Sequence, residues 1–243
     1  MPGAYSYYYV DWTYIALLLP VMLLALYAQA RVKSTFRSAS QMRTQRGLTG
    51  YDAARMVLDN HGLYHVRIEH ISGTLTDNYN PRKQTIFLSD DVYGAATPAA
   101  VGVAAHEAGH AVQHAEGYGP LVLRNSIIKA TNIGSWLAMP MILLGLLLSG
   151  LGQYYIWIAY FGVGLYSLGA FFQLLTLPTE FNASRRAVTA IESSGMLTDV
   201  ELTKTKKVLR AAALTYVAAL ASSLVQLLRL ILIVLRSSNR RRD

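Results

Sequence analysis

The chain of 243 residues contains no cysteine. That excludes disulfide bridges and thiolate metal sites and leaves the redox compartment open. Acidic residues are scarce beside basic ones, 14 against 22, for a formal net charge of +8. Such an excess suits a nucleic acid or a membrane surface. Where the charges fall decides between them: they flank long apolar runs and form no patch interleaved with aromatics, so no nucleic-acid partner is expected. Internal repeats and low-complexity tracts are absent, apart from a tyrosine-rich N-terminus. The length alone permits one large domain or two small ones.

Several runs approach the roughly 20 apolar residues needed to cross a bilayer. The first covers about Trp12 to Ala30, with Tyr and Trp at its head in the manner of an interfacial belt. The second, about Ile133 to Leu148, is short and interrupted by Pro140. The third, about Tyr154 to Leu177, follows so closely that the pair reads as a helical hairpin. The fourth runs from about Ala211 to Leu235 and carries Arg229, so it either spans or packs against the others and the interface. Ala28-Gln29-Ala30 mimics a signal-peptidase site. However, no Lys or Arg precedes the first run, whereas Arg31, Lys33, Arg37, Arg43 and Arg46 follow it. An uncleaved anchor with its N-terminus outside is therefore expected. The stretch from Arg31 to about Lys129 then faces the cytoplasm, and the hairpin returns Thr179 to Arg210 to the same side. A spanning fourth run leaves Arg236 and Arg240 to Arg242 outside, against the charge rule.

The most informative residues are His106-Glu107-Ala108-Gly109-His110. Four residues slightly exceed one helical turn, so His106 and His110 share one face and can grip one zinc ion. Glu107, one step round, can point at a water on the open side of the metal. The surroundings predict a helix: Thr97 is a good N-cap, Pro98 suits the first helical position, and Ala99 to Gln113 are strong helix formers before Gly117 and Gly119. The plain alternative is that both histidines are packed or surface residues and Glu107 a solvated carboxylate. A catalytic zinc usually has three protein ligands and one open position. His114 lies roughly 12 Å beyond His106 along a continuous helix, so it reads as a supporting or solvent-facing residue. Glu180 is the better candidate. It sits in a stretch that reads as a second helix starting near Thr179, after Pro178.

Together these stretches resemble the YugP-like neutral zinc metallopeptidase family of bacterial membrane proteins. The matching segments are Tyr79-Asn80-Pro81, 88–93 (LSDDVY), 103–114 (VAAHEAGHAVQH), 180–187 (EFNASRRA) and 211–219 (AAALTYVAA). The likeness covers nearly the whole chain. It implies zinc as the cofactor, His106, His110 and Glu180 as its ligands, and Glu107 as the catalytic carboxylate. Glu180-Phe181-x-Ala183-x-Arg185 is also distantly similar to the third-ligand helix of M48-type membrane proteases. There the position four after the glutamate is usually an aspartate bracing a zinc-binding histidine; here it is Ser184.

The expected fold class is a mainly α membrane protein, with about four transmembrane or hydrophobic helices and a small α+β zincin-like catalytic domain. Its parts are an N-terminal anchor (1–30), a cytoplasmic zincin-like domain with the H-E-x-x-H helix (31–131), a transmembrane hairpin (132–177), a third-ligand helix region (178–210) and a C-terminal hydrophobic helix with a basic tail (211–243). Within the soluble part, 31–47 reads as a juxtamembrane linker or helix extension. Thr49 to His61 forms a helix stopped by Gly62, Val66 to Ile71 and Thr85 to Leu88 are short strands, and Asp77 to Lys83 is a turn. Thr85 to Leu88 is the candidate strand for holding extended substrate, or else a simple core strand. The expected function is a multi-pass cell-membrane zinc metalloendopeptidase acting on a peptide or membrane-protein substrate, with its active site on the cytoplasmic side. Glu107 acts as general base and later protonates the leaving amine. Arg185, Arg186, His114 and several tyrosines are possible oxyanion donors; for the two arginines a structural ion pair or a topology charge is an equal reading. Asn182 and Ser184 either support a metal ligand or are routine helix residues. Two other classes compete: a membrane protein with a structural or regulatory metal site and no turnover, and a transporter with an accidental motif.

Overall fold

The structure, a computed structural model, describes residues 12–239. The tyrosine-rich N-terminus and Arg240 to Arg242 lie outside the described residues. In chain order the elements are α1 (Trp12–Ser40), α2 (Gly50–Asp59), β1 (Arg67–His70), β2 (Asn78–Asn80), β3 (Thr85–Leu88), α3 (Pro98–Ala115), α4 (Gly119–Leu148), α5 (Ile156–Ser194) and α6 (Asp199–Asn239). Four of these helices, α1, α4, α5 and α6, are long and apolar enough to cross a membrane. The protein is thus mainly helical, with one small three-stranded sheet.

Local chemistry explains the short elements. Thr49 caps α2 through a reciprocal capping box with Asp52. The hydroxyl of Thr97 accepts the amide proton of Ala100 at 3.2 Å, Pro98 occupies the first turn of α3, and Gly117 supplies the left-handed residue beyond its end at φ 65°. In the sheet, β1 runs parallel and β2 antiparallel to β3, in the order β1-β3-β2. Two expectations change here. Asn78 to Asn80 is a strand, not part of a turn, because its backbone pairs with Thr85 to Phe87. And β3 is the middle strand, hydrogen-bonded on both sides, with Thr85, Ile86 and Leu88 fully buried. It therefore has no free edge to offer a substrate, and the core-strand reading holds.

The long helices are longer than the apolar runs indicated. The second run is only the later part of α4, which begins at Gly119 and passes through Pro140. Likewise α5 passes through Pro178 without a break, so no new helix starts at Thr179. Proline at 178 removes one helical donor and crowds the carbonyl four residues back. Nearby Thr176 and Thr179 donate their hydroxyls to the carbonyls of Phe172 and Leu175 at 2.8 and 2.9 Å. Neither of these is the Leu174 carbonyl that Pro178 leaves without its donor, and packing against neighbouring helices makes proline tolerable in apolar helices. Every boundary of the five-part division falls inside a continuous helix, so the apolar runs and the parts around the sheet share their scaffold.

Two packed regions hold the molecule together. Around α3, the buried side chains of Val57, Leu58, Ile86, Leu88, Val101 and Val112 join Ile191 of α5 and Val208 of α6 in one core. Around the α4–α5 hairpin, Ile142, Ala159 and Val163 pack with Leu230 and Val234 of α6. The hairpin helices touch where side chains vanish: a Cβ on Gly162 would come within 2.8 Å of the Ala138 carbonyl. Small residues at such crossings let apolar helices approach closely.

Candidate metal centre

His106 and His110 project from the same face of α3, their rings 4.7 Å apart and nearly perpendicular. α5 crosses this face at Gly109, where a Cβ would lie 2.8 Å from the carbonyl of Ala183. Glycine here admits a neighbouring helix, and that close crossing delivers Glu180 to the histidines. Glu180 is 4% exposed. Its Oε2 lies 3.2 Å from His106 Nε2 and 3.4 Å from His110 Nε2. The potential ligand atoms of the three residues all lie within 4.8 Å of one another.

Their chemistry fits a zinc ion. Two imidazoles and one carboxylate leave a fourth position free for water. Bonds of about 2.0–2.1 Å in a tetrahedron separate ligand atoms by roughly 3.3 Å, close to the two nitrogen–oxygen distances seen. Glu107 lines the same cavity, about 720 Å3 in volume, together with Asp77, Tyr79, His114, Arg124 and Tyr216. Burial raises the Glu107 carboxyl above the ordinary carboxylate range, against the pull of His106 and His110. Burial pulls His110 down, but hydrogen bonding to Glu180 and the nearby carboxylates outweigh it and raise it overall. A buried group of two imidazoles beside two carboxylates favours positive charge, which a divalent cation supplies.

A family described as "Putative neutral zinc metallopeptidase" matches residues 14–235. The chain belongs to this family. It is also 45% identical, over 222 residues, to the "Putative membrane protease YugP" of Bacillus subtilis (strain 168), which covers 91% of this chain and 96% of that protein. No solved structure matches it. The family is one of zinc metallopeptidases, and His106, His110 and Glu180 form a group able to hold such an ion.

Around this candidate metal group lies a buried hydrogen-bond frame. Gln113, fully buried, donates its amide to the Thr179 carbonyl at 2.8 Å and to Asn182 Oδ1 at 2.9 Å. With both amide protons spent, Gln113 Oε1 faces His110 Nδ1 at 2.9 Å and accepts its proton. That leaves Nε2, the nitrogen on the Glu180 side, as the one able to ligate an ion. Ser184 Oγ lies 3.1 Å from His106 Nδ1, so the serine that replaces the aspartate of the M48-type pattern still contacts a histidine. Asn182 also accepts from Arg186 Nε at 2.7 Å, and Arg186 pairs with Glu116 at 2.6 Å. Arg186 is thus a structural ion pair, while Arg185 is exposed. His114 is exposed, with its Nδ1 3.0 Å from the Tyr79 hydroxyl, and stands outside the metal group.

Three residues escaped the sequence reading. Gln113 carried a weak signal, since it sits three residues after His110 on the same face. Arg124, whose Nη1 lies 3.4 Å from Glu180 Oε1, reaches the cavity from α4 and carried none, while Tyr216, from α6, lay in the matching segment 211–219 and among the tyrosine candidates without being singled out. Only the packing of those helices against α5 brings them there.

Proposed function

We propose that this protein is a membrane-embedded zinc metalloendopeptidase with a zincin-like catalytic unit, in which His106, His110 and Glu180 hold the ion and Glu107 is the general base. The observation that carries the reading is the approach of Glu180 to both imidazoles, with Glu107 lining the same cavity. When bound, zinc lowers the pKa of a coordinated water and polarises a peptide carbonyl. The Glu107 carboxylate takes a proton from the attacking water and returns it to the leaving amine. Gln113 and Ser184 keep the two imidazoles oriented. Arg124 and Tyr216 are the proposed donors to the oxygen that becomes negative, since both line the cavity.

For substrate binding the proposal moves from β3 to β2. One edge of β2 pairs with β3, and among the described residues no strand pairs with the other. Asp77 anchors this strand by accepting the Ser89 amide proton at 2.7 Å, and Asn78, Tyr79 and Asn80 line the cavity. An extended peptide added to that edge passes the metal centre with its backbone hydrogen-bonded.

The active site is proposed to face the cytoplasm. The run of basic residues after Ala30 supports this. The depth of the site bears on its distance from the α4–α5 turn: Glu180 lies roughly 36 Å along α5 from Ile156 and Arg124 roughly 36 Å along α4 from Leu148. Both lengths exceed the roughly 30 Å hydrocarbon core, which supports a centre at the membrane boundary opposite the α4–α5 turn. The five-part division of the chain stands as a proposal on the same footing.

Protein degradation and zinc content, measured on one purified sample, test the reading. Glu107→Gln is expected to retain zinc and to lower turnover of casein or a membrane protein at least about 100-fold. Glu180→Ala is expected to lose zinc. Undiminished proteolysis by Glu107→Gln contradicts the assignment, and zinc binding with no turnover in the native chain favours a structural or regulatory metal.

A further inference from the structure

In the topology proposed above, α1 and α6 meet the membrane boundary together. Arg31 follows the apolar run that ends at Ala30, and Arg210 precedes the run that starts at Ala211. Just on the polar side, the two helices frame an open groove of about 200 Å3 lined by Arg31, Ser34, Thr35, Ser38, Lys204 and Lys207. The four α1 residues follow the i, i+3, i+4, i+7 spacing of a single helical face, and the two lysines are three apart on α6.

Hydrogen bonding sorts these groups by what they have left to give. Ser34 and Thr35 donate their hydroxyl protons to the Arg31 carbonyl at 3.1 and 2.8 Å. Lys204 Nζ donates to Ser38 Oγ at 2.9 Å, which holds that ammonium in the groove and leaves the Ser38 proton free. Three cations and one hydroxyl therefore remain as donors. Among the described residues, none of the three cations is ion-paired with a carboxylate. Like charges gathered around one groove repel, and an acceptor-rich anion removes that repulsion.

We propose that this groove binds the phosphate of an anionic phospholipid from the leaflet on the metal-centre side. Free phosphate shares the chemistry, but the position of the groove selects the lipid. Its cations begin where the hydrocarbon ends, and exposed Leu23 and Leu26 continue α1 into the apolar layer, where acyl chains run. Basic pockets between membrane helices bind anionic head groups in this way. The groove is also coupled to the metal helix: Thr205, between the two lysines, donates its hydroxyl to the Pro98 carbonyl at the start of α3 at 2.8 Å.

The test uses the full chain in neutral detergent, titrated with phosphatidylglycerol, phosphatidylcholine or inorganic phosphate. Bound lipid is counted by native mass spectrometry and thermal unfolding is followed in parallel. Phosphatidylglycerol is expected to bind and raise the unfolding temperature more than phosphatidylcholine. Each neutralised groove cation should weaken it roughly fivefold, so Arg31→Gln/Lys204→Gln/Lys207→Gln loses on the order of 100-fold. Removing the same charge outside the groove, in Lys33→Gln/Arg37→Gln/Arg43→Gln, should leave binding within about twofold, and Arg31→Lys/Lys204→Arg/Lys207→Arg should preserve it. If the triple neutralisation fails to fold, the single exposed change Lys207→Gln carries the same fivefold expectation. Equal binding of the two lipids overturns the proposal, as does equal weakening by the two neutral triple variants. Inorganic phosphate binding as tightly as phosphatidylglycerol overturns the lipid as occupant.

Discussion

Single side chains divide into those announced by spacing and those revealed only by packing. His106, Glu107 and His110 were legible because a helix of known pitch converts their separation into a shared face. Glu180 was legible less directly, through the surrounding pattern, and for a partly mistaken reason, since its helix does not begin beside it. Gln113, Arg124 and Tyr216 were not legible in that sense, because their importance lies in contacts made across four different helices. Two of these residues separate binding from turnover. Gln113→Leu leaves the His110 Nδ1 proton and the Thr179 carbonyl without their partner. It is expected to weaken zinc affinity about 10- to 100-fold, as loss of an orienting partner does, measured by competition with a chelator. Tyr216→Phe is expected to leave zinc affinity unchanged while lowering kcat by about 10- to 1,000-fold, on the scale of a lost oxyanion donor. Equal zinc affinity in native protein and Gln113→Leu, or an unchanged kcat in Tyr216→Phe, removes the respective role.

The elements themselves were read well where the rules are local and poorly where tertiary structure overrides them. α2 and α3 follow from Thr49 and Thr97 as caps and from the glycines beyond their ends. Pro178 is read locally as a break, but α5 runs through it, packed closely against α3 at Gly109 and Ala183. β2 has only three residues, too few for alternation to register, and the order β1-β3-β2 is a long-range property that no single strand records. One helix contact tests how tightly the metal helix is clamped. A Cβ on Gly102 would lie 2.7 Å from Thr205 Cγ2. Thr205 is fully buried and tied to the Pro98 carbonyl, so it yields little. Gly102→Val is expected to destabilise the protein by about 1–3 kcal/mol, read as a lowered unfolding temperature in detergent. An unchanged temperature means that α3 and α6 have room to part.

On the scale of the whole molecule, four long apolar helices were foreseen, but not that the same helices would continue past the apolar runs to build the metal centre. Apolar runs report where lipid is tolerated and say nothing about where a helix stops. The proposed orientation has a direct consequence for accessibility, and a chain without cysteine is well suited to measuring it. A single cysteine at Leu151, in the exposed α4–α5 turn, is expected to react with a membrane-impermeant thiol reagent applied to intact cells. One at exposed Tyr64, beside the sheet, is expected to react only after the membrane is opened. The reverse pattern inverts the topology and moves the active site outside. All of this rests on one ion held between α3 and α5, and zinc-edge X-ray absorption on the purified chain measures that most directly. The account expects one zinc per chain in a shell of two imidazole nitrogens and light oxygen donors, with Glu180→Gln changing the oxygen contribution or emptying the site. A chain that carries no stoichiometric zinc, or a shell untouched by Glu180→Gln, contradicts it.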